Sequence, residues 1–146
     1  MTYQELKQKH QEEFNAFPIH FAFGQEQIDA KLKELGLTHE NYQDHVTGIG
    51  AGGFILNKDK DAYIEMCCRH RKEVMECRAA DKNGDGFLYD MFHSELVNHE
   101  YGYTTDPTDA IAALGLTIEE INKNPAMVTA LDKAMKDIRA AEGFEW

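Results

Sequence analysis

The stretch that decides the fold reads Leu114-Gly115-Leu116-Thr117-Ile118-Glu119-Glu120. Gly115 stands where a helix ends in a left-handed residue, Thr117 can cap the next helix, and Glu120 completes a capping box. The same order of Gly, Leu and Thr recurs in Leu35-Gly36-Leu37-Thr38-His39-Glu40. The sequence therefore predicts two corners at which one helix follows another.

Working outward from these corners, the apolar spacing predicts a helix-rich chain with a small sheet. Cap and proline signals support helices, and a period of two or an aromatic, glycine-rich run supports strands. The predicted helices cover residues 2–15, 25–35, 39–45, 59–79, 107–114 and 125–141, and the predicted strands cover 19–23, 46–56 and 101–105. We expect an α+β fold, a single globular domain over residues 1–146 with about three short strands packed against helices on one side. The tail 143–146 is expected to fold back, because Phe and Trp bury large areas.

The charge balance excludes several classes of function. The 146 residues carry 26 acidic and 15 basic side chains, a formal net charge of −11. A chain this acidic cannot neutralise nucleic-acid phosphates with a general positive field, and anionic membranes repel it. The N-terminus lacks the apolar core of a signal peptide, and the odd number of cysteines is typical of reduced thiols. We therefore expect a cytoplasmic protein with no general nucleic-acid binding and no membrane binding, whose oligomeric state is left open.

One candidate metal site is the stretch Asp81-Lys82-Asn83-Gly84-Asp85-Gly86-Phe87-Leu88, which matches the first eight positions of an EF-hand calcium loop. Ca²⁺ would take side-chain oxygens from Asp81, Asn83 and Asp85 and the carbonyl oxygen of Phe87. The twelfth position, which normally supplies a bidentate Glu, is Phe92. The alternative interpretation is a tight turn between two helices, built from residues that favour turns.

A second motif is Gly48-Ile49-Gly50-Ala51-Gly52-Gly53, which has the spacing of a dinucleotide fingerprint. Such a fingerprint should follow an apolar strand and open a helix. Here the glycines follow a polar stretch and precede Phe54-Ile55-Leu56. The pattern therefore favours a glycine-rich strand or bulge.

The candidate binding site lies in residues 93–101. Glu95 and His99 are four residues apart and would share one face of a helix. Neighbouring polar side chains extend the site, which comprises His93, Glu95, Asn98, His99, Glu100 and Tyr101. A metal-dependent enzyme using His93, Glu95 and His99 is one hypothesis. A core-facing His99 held by Glu95 is the other, and we assign no catalytic residue.

Three segments together resemble a group of small proteins of unknown function carried by phages and mobile elements of gut bacteria. These segments are Asn15-Ala16-Phe17-Pro18 with Phe21-Ala22-Phe23, then Ile49–Phe54, then Asn98-His99-Glu100-Tyr101. The resemblance implies a domain of unknown function and no reaction. With the net charge, it leads to the hypothesis of a non-enzymatic acidic binding protein, an inhibitor of a host protein that has a basic surface. The calcium-binding module is the alternative, with no other cofactor expected.

Overall fold

The computed structural model describes residues 1–38 and 40–143. The chain forms two compact units, which we call the helical unit (Met1–Lys9 with Glu73–Trp146) and the sheet unit (His10–Lys72). The prediction of one domain over the whole chain therefore stays a prediction. In the described part of the chain, no helix is long and apolar enough to span a membrane.

The helices begin and end close to the positions that the capping residues predicted. Asn124 accepts hydrogen bonds from the backbone of Ala126 and Met127, and the Thr117 hydroxyl accepts from the Glu120 backbone, so both predicted N-caps are confirmed. The helices are α1 (Tyr3–Ala16), α2 (Gln25–Glu34), α3 (Lys60–Ala80), α4 (Phe87–Asn98), α5 (Tyr101–Thr104), α6 (Thr108–Ala113), α7 (Ile118–Asn122) and α8 (Pro125–Ala141). Two short 3-10 turns cover Tyr42–Asp44 and Asn57–Asp59. His39, where a helix was predicted to begin, and residues 144–146 of the tail lie outside the described residues.

The core of the helical unit is formed by α4 packed against α8. Both helices are amphipathic, and each buries one apolar stripe at helical spacing. The fully buried or nearly buried positions are Leu88, Met91, Phe92 and Leu96 on α4, and Ala130, Leu131, Ala134 and Ile138 on α8. Helix α4 of this pair also carries Glu95, the central residue of the candidate site.

The sheet unit contains three antiparallel strands in the order β1-β3-β2. They are β1 (His20–Phe21), β2 (Val46–Gly50) and β3 (Gly53–Leu56). The single strand predicted over 46–56 is therefore wrong, because Ala51 and Gly52 have φ angles of 52° and 77° and turn the chain back on itself. Positive φ at both central residues is the geometry of a type I′ hairpin. The glycine motif thus makes a hairpin turn.

Two further strand predictions need correction. The predicted strand 101–105 is helix α5, because the backbone amides of Tyr103 and Thr104 both donate to the Glu100 carbonyl. The first strand is shorter than the predicted 19–23, because β1 covers His20–Phe21. At its end, Phe21 and Phe23 are exposed whereas Ala22 between them is buried, so the aromatic side chains face outward.

The long helix predicted over 59–79 is confirmed as α3, and it buries Met66. Met66 is buried and His70 is half-buried, whereas Cys67 is exposed. One residue along a helix turns by about 100°, so Cys67 lies off the line that joins Met66 to His70. Cys67 is therefore a surface thiol.

Candidate functional site

The candidate site centres on Glu95, whose residue is 7% exposed. Helix α4 buries the Phe92 and Leu96 side of its surface, and Glu95 lies on the edge of that side. Its Oε1 atom accepts a hydrogen bond of 2.7 Å from the Tyr3 hydroxyl and one of 3.1 Å from the Lys7 ammonium group. Among the described residues, Glu95 is the buried charged side chain, and a buried carboxylate needs such partners to stay ionised.

His99 completes the cluster from the end of the same helix. Its Nε2 atom lies 3.6 Å from Oε2 of Glu95, which confirms that these two predicted site residues come together. His99 follows the last residue of α4 and its side chain is 36% exposed, so the interpretation of a core-facing histidine is only half right. The pair joins a buried acid to a half-exposed imidazole.

The electrostatics of the cluster favour a charged carboxylate beside a neutral phenol. Burial opposes ionisation of Glu95, but hydrogen bonds from Tyr3 and Lys7 and the charges of Lys7 and His99 outweigh it and lower the pKa of Glu95. Burial, and then the hydrogen bond to Glu95, raises the pKa of Tyr3 well above its usual range. The cluster therefore stabilises the folded helical unit near neutral pH.

Replacing Tyr3 with Phe should lower the free energy of unfolding near neutral pH by about 1–3 kcal/mol, because a buried carboxylate loses one donor. The depressed pKa of Glu95 contributes stability above its ordinary value of 4.5, and that contribution is lost as the pH falls through the lower folded pKa. The difference between the variant and the wild type should therefore shrink at acid pH. Denaturant unfolding near neutral pH and at about pH 3 measures it.

Tyr89→Phe is the matched control, because the Tyr89 hydroxyl donates a bond of the same length, 2.7 Å, to the exposed carboxylate of Asp137. That bond competes with water and should contribute less. An equal loss of the free energy of unfolding in the two variants would show that the hydrogen bond from Tyr3 does not stabilise the buried Glu95 carboxylate. A loss in Tyr3→Phe that does not change with pH would show the same.

The other predicted site residues do not join Glu95. His93 lies beside Tyr89, with ring centroids 5.6 Å apart, and Asn98 and Glu100 are exposed. Tyr101 is 1% exposed, and its hydroxyl accepts a hydrogen bond of 3.0 Å from Arg139. The six predicted residues therefore do not form one cluster, since Tyr101 belongs to the core, and their role in binding stays a prediction.

The loop before α4 uses its acidic side chain for the backbone. Asp81 accepts hydrogen bonds from the amides of Gly84 at 2.8 Å, Gly86 at 3.1 Å and Leu88 at 3.0 Å. Burial opposes the charge of Asp81, but these amides outweigh it and lower the pKa of the carboxyl. The turn interpretation thus accounts for Asp81.

The remaining predicted calcium ligands lie in the exposed part of the loop and at the start of α4. Asn83 and Asp85 are exposed, and Phe87 is already the first residue of α4. Phe92, at the twelfth position, is buried in the core at 1% exposure. No group of three His, Cys, Asp or Glu side chains suited to a metal ion occurs within residues 1–38 and 40–143.

A surface that sequence reasoning missed surrounds helix α5. Tyr103 is 89% exposed, and Glu100 and Asp106 are exposed on either side of it. The Glu142 side chain lies against Gly102, where an added Cβ would come within 3.1 Å of its Oε1 atom. We call these residues, Glu100–Asp106 with Glu142, the acidic turn. Its signal in the sequence is the absence of Lys and Arg from residues 83–122.

The comparisons with known proteins give a family without an activity. A model described as a family of unknown function, DUF7659, matches residues 2–137. No curated protein and no solved structure matches the chain. The match spans nearly the whole chain and transfers no functional residue.

Proposed function

The chain belongs to the DUF7659 family, and we propose that it is a non-enzymatic acidic protein that binds a protein partner through that partner's basic surface. The observation that carries the proposal is the charge of residues 83–122. This segment holds eight acidic side chains and no Lys or Arg. A field of one sign accelerates encounter with a partner of the opposite sign and orients it.

The charge is unevenly divided between the two units. The helical unit has 16 acidic and eight basic side chains, whereas the sheet unit has ten and seven. Most of the net charge of −11, a share of −8, therefore belongs to the helical unit, which also contains the acidic turn. Part of this charge serves the helices themselves, as Glu119 and Glu120 lie in the first turn of α7, where the helix dipole favours acids.

The acidic turn adds an aromatic anchor to the field. Charged rims alone contribute little affinity, and interfaces depend on a few large side chains, among which Tyr is enriched. The exposed ring of Tyr103 can stack on an arginine guanidinium of a partner. Glu100 and Asp106 lie three residues before and three residues after Tyr103 in the chain. Hydrogen bonds from Thr108 lower the pKa of Asp106, so this carboxylate is charged at neutral pH. Tyr103 thus replaces Tyr101 as the proposed contact residue.

The backbone on either side of Tyr103 has an unusual left-handed conformation. Glu100 and Thr105, the residues on either side of α5, have φ angles of 58° and 56°. Non-glycine residues rarely adopt this conformation, and it is costly for a β-branched residue such as Thr105. A strained segment of this kind is common at ligand-binding positions, which supports the acidic turn as the contact surface.

The resemblance to small proteins of phages and mobile elements supports a role as an inhibitor. An acidic chain that covers a basic, nucleic-acid-binding surface of a host protein would compete with nucleic acid for it. Competition of this kind needs no catalytic residue. The partner class we propose is therefore a host protein that uses this surface to hold DNA or RNA.

Binding to a labelled arginine-rich peptide, followed by fluorescence anisotropy, tests the proposal. The wild type should bind the peptide, should bind more weakly as salt increases, and should displace a DNA duplex from it. The triple variant Glu100→Gln, Asp106→Asn, Glu142→Gln should weaken binding by about tenfold or more, and Tyr103→Ala should weaken it further.

A second triple variant in the sheet unit removes the same charge elsewhere: Glu26→Gln, Asp29→Asn, Glu34→Gln. It should bind the peptide as the wild type does. Equal weakening by both triple variants would show that net charge alone acts and would remove the acidic turn from the proposal. Binding that does not respond to salt, or no binding at all, would contradict the proposed function itself.

A further inference from the structure

The loop between α3 and α4 contains a chemically reactive dipeptide, Asn83-Gly84. In such a pair, the backbone nitrogen of the second residue can attack the side-chain amide carbon of the asparagine. A five-membered succinimide forms and ammonia leaves, and water then opens the ring to aspartate or isoaspartate. Glycine favours this attack because it has no side chain to hinder the nitrogen. Asn83 is the one asparagine of this chain that glycine follows.

The folded loop withholds the attacking nitrogen. The amide of Gly84 donates a 2.8 Å hydrogen bond to Oδ1 of Asp81, and Oδ2 of the same carboxylate accepts from Gly86 and Leu88. To attack, the Gly84 nitrogen must leave Asp81 and turn toward the Asn83 side chain. Since Asn83 is exposed, access of water does not limit the reaction.

The tight packing of Gly84 against α8 also opposes the isoaspartate product in the closed loop. Gly84 has a φ of 76°, and a Cβ placed on it would lie 2.1 Å from the carbonyl oxygen of Ala126 on α8. Isoaspartate lengthens the backbone by one methylene group. The extra methylene enters between Cα of residue 83 and the nitrogen of Gly84, so it displaces Gly84 from the position in which it bonds Asp81 and packs against Ala126.

We propose that Asn83 is a conditional modification site, protected from deamidation while the loop is closed on Asp81 and reactive once the loop opens. The isoaspartate product then prevents the loop from closing again. The reaction consumes water and releases ammonia, and needs no enzyme or oxidant. Chains whose helical unit has opened are thereby marked permanently at one residue.

Peptide mapping by mass spectrometry during incubation at mildly alkaline pH tests the proposal. Asn83 should remain unmodified in the folded wild type and deamidate in the same protein unfolded in guanidinium. Asp81→Ala should speed deamidation of the folded chain by about tenfold or more, because the loop loses three hydrogen bonds from backbone amides to this carboxylate. Asp85→Ala, which removes an exposed charge from the same loop, should leave the rate unchanged.

Asp81→Asn keeps an acceptor oxygen and should give an intermediate rate, which keeps the test decisive if Asp81→Ala does not fold. A slower reaction in the Asp81 variants would show that Asp81 acts as a base for the attack and would overturn the proposal. Equal rates in the folded and unfolded wild type would overturn it as well.

Discussion

Replacing Phe92 with glutamate is expected to unfold the helical unit and not to create a calcium site. In sequence, the change completes the EF-hand pattern that begins at Asp81. In the structure, Phe92 is buried between α4 and the rest of the core. Loss of a buried aromatic ring costs about 3–5 kcal/mol, and burying a carboxyl group adds several more. The total approaches the whole stability of an ordinary domain, about 5–15 kcal/mol.

Circular dichroism and thermal melting with and without millimolar Ca²⁺ check this expectation. Phe92→Leu is the control, because it keeps an apolar side chain and should leave the chain folded with a smaller loss. A folded Phe92→Glu variant whose melting temperature rises with Ca²⁺ would contradict the structure. It would show that the loop can rearrange to bring its twelfth position to an ion.

Gly84→Ala should be the most damaging of the small substitutions in the loop. The added Cβ would meet the backbone carbonyl of Ala126 at 2.1 Å, and a backbone atom cannot move aside as a flexible side chain can. The residue must also keep a left-handed φ, which costs about 1–2 kcal/mol for alanine. Overpacking adds about 1–3 kcal/mol, so a total loss of roughly 2–5 kcal/mol is expected in denaturant unfolding.

Gly115→Ala separates the two causes. Gly115 has a similar φ of 67°, but nothing lies within 4 Å of its added Cβ. This variant should show only the conformational cost. If both variants lost the same stability, the contact between the loop and α8 would not contribute to folding.

Local signals predicted the helices well because the groups that cap a helix are close in the sequence. Thr117 and Asn124 bind amides two or three residues away, so their role follows from the sequence. The hairpin was harder to predict. A type I′ turn usually contains Asn or Gly at both central positions, and here the first is Ala51. One atypical residue made two strands look like a single strand.

The two tyrosines near the site show how an error in secondary structure becomes an error in function. A strand puts residues two apart on the same face, whereas a helix turns them by about 200°. With a strand predicted over 101–105, Tyr101 was assigned to the binding site and Tyr103 was not. As a helix, the segment buries Tyr101 and exposes Tyr103.

The partners of Glu95 could not be predicted from neighbouring positions. His99 is one helical turn away and was found, but Tyr3 and Lys7 are 92 and 88 residues distant. Their own sequence shows only an amphipathic helix. The tertiary fold brings these donors to Glu95, and it leaves no pattern in the sequence around either partner.

That distance has a consequence for the order in which the chain acquires its structure. A ribosome adds Glu95 92 residues after Tyr3, so the hydrogen bond between them cannot form until that whole stretch has been made. Contacts between such distant residues slow folding, because a long loop must close first. Until Glu95 emerges, Tyr3 and Lys7 lack the buried carboxylate to which they donate. The first turns of α1 are then open to a chaperone or a protease on the growing chain.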